Sequence, residues 1–155
     1  MAKKNFVRLD KVSKEAHYET VVSKSDELIA GQLINLGKVV KVSEGEAVDF
    51  EKATADKGFD AIVVPVYLDK GYIDFNILTQ SVPAGKVTRA LIPEKGAIIS
   101  INKELCGEFK AGDNVTTNAN GLGFKKVTAA ETVVGKCIAV ETLAGVGELY
   151  VIRFA

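Results

Sequence analysis

The chain has 155 residues, 47% of them hydrophobic and 26% charged, which suits one folded domain with a real core and excludes an intrinsically disordered chain. Lysine plus arginine number 20, as do aspartate plus glutamate, so the formal net charge is 0. That balance lacks the basic excess by which general nucleic-acid or anionic-membrane binders release counterions. No apolar run approaches the roughly 18 to 20 residues that cross a bilayer. The basic start Met1-Ala2-Lys3-Lys4-Asn5 meets Arg8, Asp10 and Lys11 with no apolar signal core between them, so the product is expected to stay in the cytoplasm where it is made.

Residues 1–26 are polar and mixed in sign, and they read as an N-terminal arm or a first strand. Within residues 1–12, Lys3, Lys4, Arg8, Lys11 and the α-amino group face one acid, Asp10, and Phe6, Val7 and Leu9 add apolar surface. A solvated tail has little use for those three. Such a segment can lie along a neighbouring subunit, adding main-chain hydrogen bonds at a sheet edge. Lys3, Lys4, Phe6, Val7, Arg8, Leu9 and Lys11 are therefore the candidate contact residues. The alternation across Tyr18-Glu19-Thr20-Val21-Val22 predicts a strand.

Residues 27–155 read as a single β-rich domain. From Leu28 to Val42, two glycines among β-branched residues favour two short strands around a turn over one helix, and a second turn follows at Ser43 to Glu46. The best helix candidate lies at residues 49–57, with Asp49 as cap, Phe50 and Ala53 on one face and Gly58 as terminator. Ala61 to Leu68 is a buried-strand pattern in which Pro65 marks an edge or bulge. Asp69-Lys70-Gly71-Tyr72 makes a turn, and Ile73 to Ile77 alternates as a returning strand.

After Gly85 the chain is a series of short apolar runs with turn residues between them. Val87–Ile92, Ala97–Ile101, Asn114–Thr116, Gly123–Val127, Val133–Val140 and Glu148–Phe154 all read as strands. Pro93 to Gly96 and Ala111 to Asn114 are turn sequences, and Asn102 to Phe109 holds one helical or 3₁₀ turn. In the last run Tyr150, Ile152 and Phe154 share one face, with Leu149, Val151 and Arg153 on the other. Both faces are largely apolar, so this strand should be central or covered. The fold class is mainly β: a compact β-barrel or sandwich with one or two short helices and an extended N-terminal arm.

Catalytic chemistry has little to work with. His17 is the only histidine, and the two cysteines, Cys106 and Cys137, have no CxxC spacing and no nearby histidine to complete a metal or redox site. Carboxylates are plentiful, but the chain has no Trp to serve as the usual sugar-stacking platform. Gly121-Leu122-Gly123 and Gly145-Val146-Gly147 each start like a dinucleotide fingerprint, yet lack its third glycine and open no helix; hairpin turns account for them better. No catalytic residue, cofactor or metal ligand is assigned.

Several features together resemble the head decoration, or cement, proteins of tailed bacteriophages. They are the Met-Ala-Lys-Lys opening, the extended N-terminal part, and Pro83-Ala84-Gly85-Lys86-Val87-Thr88-Arg89-Ala90. The turn Phe109-Lys110-Ala111-Gly112-Asp113-Asn114-Val115 belongs with them, as does the ending Val134 to Glu141 followed by Leu149 to Phe154. The resemblance is one of pattern over residues 28–155, without a diagnostic motif. It implies a non-enzymatic virion protein on the outer capsid surface that binds the major capsid protein, often as a homo-oligomeric trimer, with no nucleic-acid or membrane partner. The helix candidate at 49–57 is a departure, since a minimal decoration barrel has no need of it. Two other readings stay open: another virion component, such as a tail-tube or head-completion protein, and a small-ligand-binding or enzymatic β-barrel.

Overall fold

The computed structural model describes residues 5–23, 27–43, 45–64, 81–128 and 130–155. The expected turn at Asp69–Tyr72, the strand at Ile73–Ile77, the end of the run through Pro65 to Leu68, and Lys3 and Lys4 lie outside them.

Two β layers are built from the described residues. The first is a six-stranded antiparallel sheet of β1 (Val7–Lys11), β7 (Ile98–Asn102), β11 (Gly147–Phe154), β10 (Gly135–Leu143), β8 (Asn114–Thr117) and β9 (Phe124–Lys126), in that spatial order. The second is a small closed barrel of β2 (His17–Val22), β4 (Gly45–Lys52), β3 (Leu33–Val42), β5 (Ala61–Val63) and β6 (Val87–Ile92). Its neighbours are antiparallel except β2 and β4, which close the barrel in parallel at Val21 and Val48.

Side-chain alternation explains how one wall of the barrel serves two cores. Leu33, Ile62 and Leu91 stand in register across β3, β5 and β6 and join the core against the sheet. Their neighbours Ile34, Ala61, Val63 and Ala90 turn the other way, into the barrel, with Val21, Leu28 and Val82. The sheet meets the first row with Ile99, Ile101, Val115, Phe124, Tyr150, Ile152 and Phe154. Phe59 fills the corner, its ring centroid 5.6 Å from that of Phe154 and 6.3 Å from that of Phe124.

The closing strand is central. β11 pairs with β7 on one side and β10 on the other, and Leu149 to Ile152 and Phe154 are all buried. Tyr150, Ile152 and Phe154 share the interlayer core, as alternation requires, and Arg153 stays exposed.

The helix expected at residues 49–57 is absent. Gly45–Lys52 is strand β4, and Thr54 to Gly58 is a tight turn closed by a bridge between those two residues. Period-two alternation and pairing with β3 outweigh the helix signals, and Asp49 does a different job from capping. Its Oδ1 accepts the Lys38 N–H at 2.7 Å, filling a bulge in β3 between Leu36 and Val39. Gly37 at that bulge therefore bends a strand instead of ending one, and β3 runs unbroken from Leu33 to Val42. The described helical pieces are two 3₁₀ turns, Lys103–Leu105 and Ala119–Gly121.

Candidate functional site

The N-terminal segment is extended, and over Val7–Lys11 it forms the edge strand β1 beside β7. Its hydrogen bonding decides what the edge offers. The Phe6 N–H donates to Asn102 Oδ1 at 2.9 Å, and the Phe6 carbonyl accepts the Asn102 N–H at 3.2 Å. Bonded and non-bonded pairs alternate in an antiparallel ladder. Phe6 and Arg8 thus direct their main-chain groups at β7, while Val7 and Leu9 direct theirs at the outer edge.

Side chains alternate in the same way. Val7 is 5% exposed and belongs to the interlayer core, so it supports the strand from within. Leu9, in register with Ile99, is 38% exposed at the rim of that core, and Lys11 is exposed. Phe6 is half-buried.

Arg8 lies on the opposite face. Its guanidinium donates to Asp10 Oδ1 at 2.5 Å, to Glu141 Oε2 at 2.7 Å and to Ser100 Oγ at 3.2 Å. The Ser100 hydroxyl donates in turn to Asp10 Oδ2. Hydrogen bonding to Glu141 first, and to Asp10 next, raises the Arg8 pKa above its already high ordinary value. Behind the strand, the buried Asn5 accepts the Ala30 N–H at 3.2 Å and ties the segment to the barrel.

The fold thus sets Phe6 beside Asn102, and Arg8 beside Ser100 and Glu141, partners that the sequence reading did not place next to this segment. Ser100 and Glu141 lie 92 and 133 positions from Arg8, so no local pattern announces them. The usable signal was the strand alternation of Val7-Arg8-Leu9-Asp10-Lys11 itself.

Burial pushes the Cys106 thiol up to about 12 and also raises that of Cys137, which keeps both protonated and weak as nucleophiles. His17 is exposed at the start of β2 beside Glu19, with Nε2 2.9 Å from Oε1. Among the described residues no group of three His, Cys, Asp or Glu side chains is positioned to hold a metal ion. A groove where barrel meets sheet is lined by Lys52, Thr54, Asn118, Asn120 and Lys125. Lys125 there is held by Glu131 at 2.7 Å.

The sequence matches no protein-family model and no curated protein. The fold does have a solved counterpart. The N base of the head fiber gp8.5 of bacteriophage phi29 is similar, with a TM-score of 0.56 at 17% identity, over 90% of this chain and 94% of that one. At that identity the likeness is one of fold: the barrel and sheet are a known pairing of layers.

Proposed function

We propose that this protein is a structural component of a bacteriophage virion, seated on the outer surface of the head, where it binds major capsid subunits and stabilises their lattice. The observation that carries the reading is the fold likeness to the base of a phage head fiber across nearly the whole of both chains. The decoration-protein resemblance of residues 28–155 agrees with it, although it rests on different features. A rigid two-layer β body suits such a role. A protein that binds only the assembled shell stabilises it by mass action, without chemistry of its own.

Within this proposal the shell is met along β1. Lys3, Lys4, Phe6, Arg8, Leu9 and Lys11 make the contacts, and Val7 anchors the strand from the core side. Copies act on the shell as homo-oligomers, trimers being the form the resemblance implies. The test is co-sedimentation of purified protein with phage capsids that lack it, taken before and after expansion. The protein should pellet with the capsids in saturable amount. Protein left in the supernatant with both capsid forms would overturn the proposal.

A further inference from the structure

We infer that the outer edge of β1 is a self-complementary pairing edge, taking the β1 strand of a second copy in antiparallel register about Leu9. This inference does not depend on the virion role: it concerns copies free in solution, whose β1 edge has no shell against it. Three observations carry it.

The first is the direction of the main chain. Val7 and Leu9 present their N–H and C=O groups away from β7, and among the described residues β1 has no second neighbour. An edge with free donors and acceptors is a template for another strand.

The second is the apolar rim. Leu9 continues the row of Ile99 and Ile152 yet is 38% exposed, where those two are fully buried. An incoming strand with an apolar residue on that face would finish the row.

The third is charge. In an antiparallel pair centred on Leu9, Leu9 faces its own counterpart. Arg8 faces Asp10 of the second copy, and Asp10 faces its Arg8. Opposite charges directly across a pair stabilise it. The two-fold symmetry makes the match reciprocal, as an isologous interface requires. No charge in Val7–Asp10 meets a like charge. Lys11 comes opposite Val7.

The contact is small. Five residues of strand bury far less than the about 800 Å² per partner of a standard stable interface. A bulge between Leu9 and Lys11 shortens it further. Pairing should therefore be weak in dilute solution and strengthen as copies are concentrated.

The experiment is disulfide trapping in the full chain. With its main-chain groups turned outward, Leu9 would form a hydrogen-bonded pair with its counterpart, about 5.5 Å between Cα atoms, which a disulfide spans. L9C under mild oxidation should give a covalent dimer, several-fold faster than K11C on the same edge and V39C on the barrel. The native cysteines can stay, and the unsubstituted protein serves as the blank. Sedimentation equilibrium of the unsubstituted protein should show reversible dimer rising with concentration. Equal trapping of L9C, K11C and V39C would mean random collision and overturn the inference. So would a monomer at every concentration.

Discussion

Arg8 reaches Glu141 across 133 positions of sequence, its Nη2 donating to Oε2 at 2.7 Å. The bond crosses the sheet from its edge strand to the hairpin of β10 and β11. It shows the N-terminal segment to be built into the domain at one end of that sheet. Both side chains are well exposed, so the ion pair itself contributes little. The burial of Val7 contributes more.

Removing residues 2–12 should accordingly destabilise the fold. Loss of the Val7 side chain from the core costs about 1.5–3 kcal/mol before any hydrogen bond is counted. For a chain of this size the melting temperature should fall by roughly 5–10 °C. A thermal melt followed by circular dichroism reads it directly. An unchanged midpoint would mean that β1 is only laid against the body.

The closing strand should be less dispensable still. β11 sits between β7 and β10, and its loss divides the sheet and bares both of its neighbours. Deletion of residues 149–155 should yield insoluble protein, because it exposes core and two strand edges at once. A soluble truncation with a cooperative melt would contradict the central position of this strand.

Much of this plan was legible along the chain, and for one reason. Strands β6 to β11 are mostly runs of apolar and β-branched residues bounded by turn residues, so each carries its own signal within a few positions. The closing strand could even be read as covered on both faces, since Leu149 to Ile152 leave no polar side. The region around Asp49 was misread because its signals are local and its outcome is not. Asp49, Phe50 and Gly58 imitate a capped helix, but the position is settled by Lys38 and by β3, which sequence proximity does not reveal. The partition into barrel and sheet was hidden for the same reason. It depends on register between distant strands, such as Leu33 with Ile62 with Leu91.

Two glycines with similar backbones should respond very differently to a methyl group. Gly121 has φ +72°, and an added Cβ would lie 2.6 Å from the Leu33 carbonyl oxygen and 2.5 Å from Gln32 Nε2. Gly112 has φ +98° and nothing within 4 Å of that position. G112A should cost only backbone strain, about 1–2 kcal/mol. G121A adds a clash with main chain in the core and should cost about 2–4 kcal/mol in all. Urea denaturation of the two variants side by side measures the difference. Equal midpoints would show that the approach of Gly121 to the barrel is looser than described.

Acid should weaken one particular strap between the layers. Glu131 accepts from Lys125 at 2.7 Å and from the Thr128 N–H and hydroxyl at 2.9 and 2.6 Å, which lowers its pKa from 4.5 to about 2. Its neighbour Thr132 donates to the Ala55 and Asp56 carbonyls in the tight turn that follows β4. A carboxylate whose folded pKa is depressed adds stability that is present above pH 4.5 and is lost as pH falls toward 2. E131Q should therefore show a smaller drop in melting temperature between pH 6 and pH 3 than the unsubstituted protein. Parallel pH profiles would remove Glu131 from the account.

The central claim, a seat on the outside of a phage head, is tested most directly by imaging. Capsids lacking the protein, saturated with it and reconstructed by electron cryomicroscopy, should carry density that fits the barrel and sheet at fixed lattice positions on the outer surface, with β1 against the shell. Shells without added ordered density, or density confined to the tail or the portal vertex, would contradict the claim.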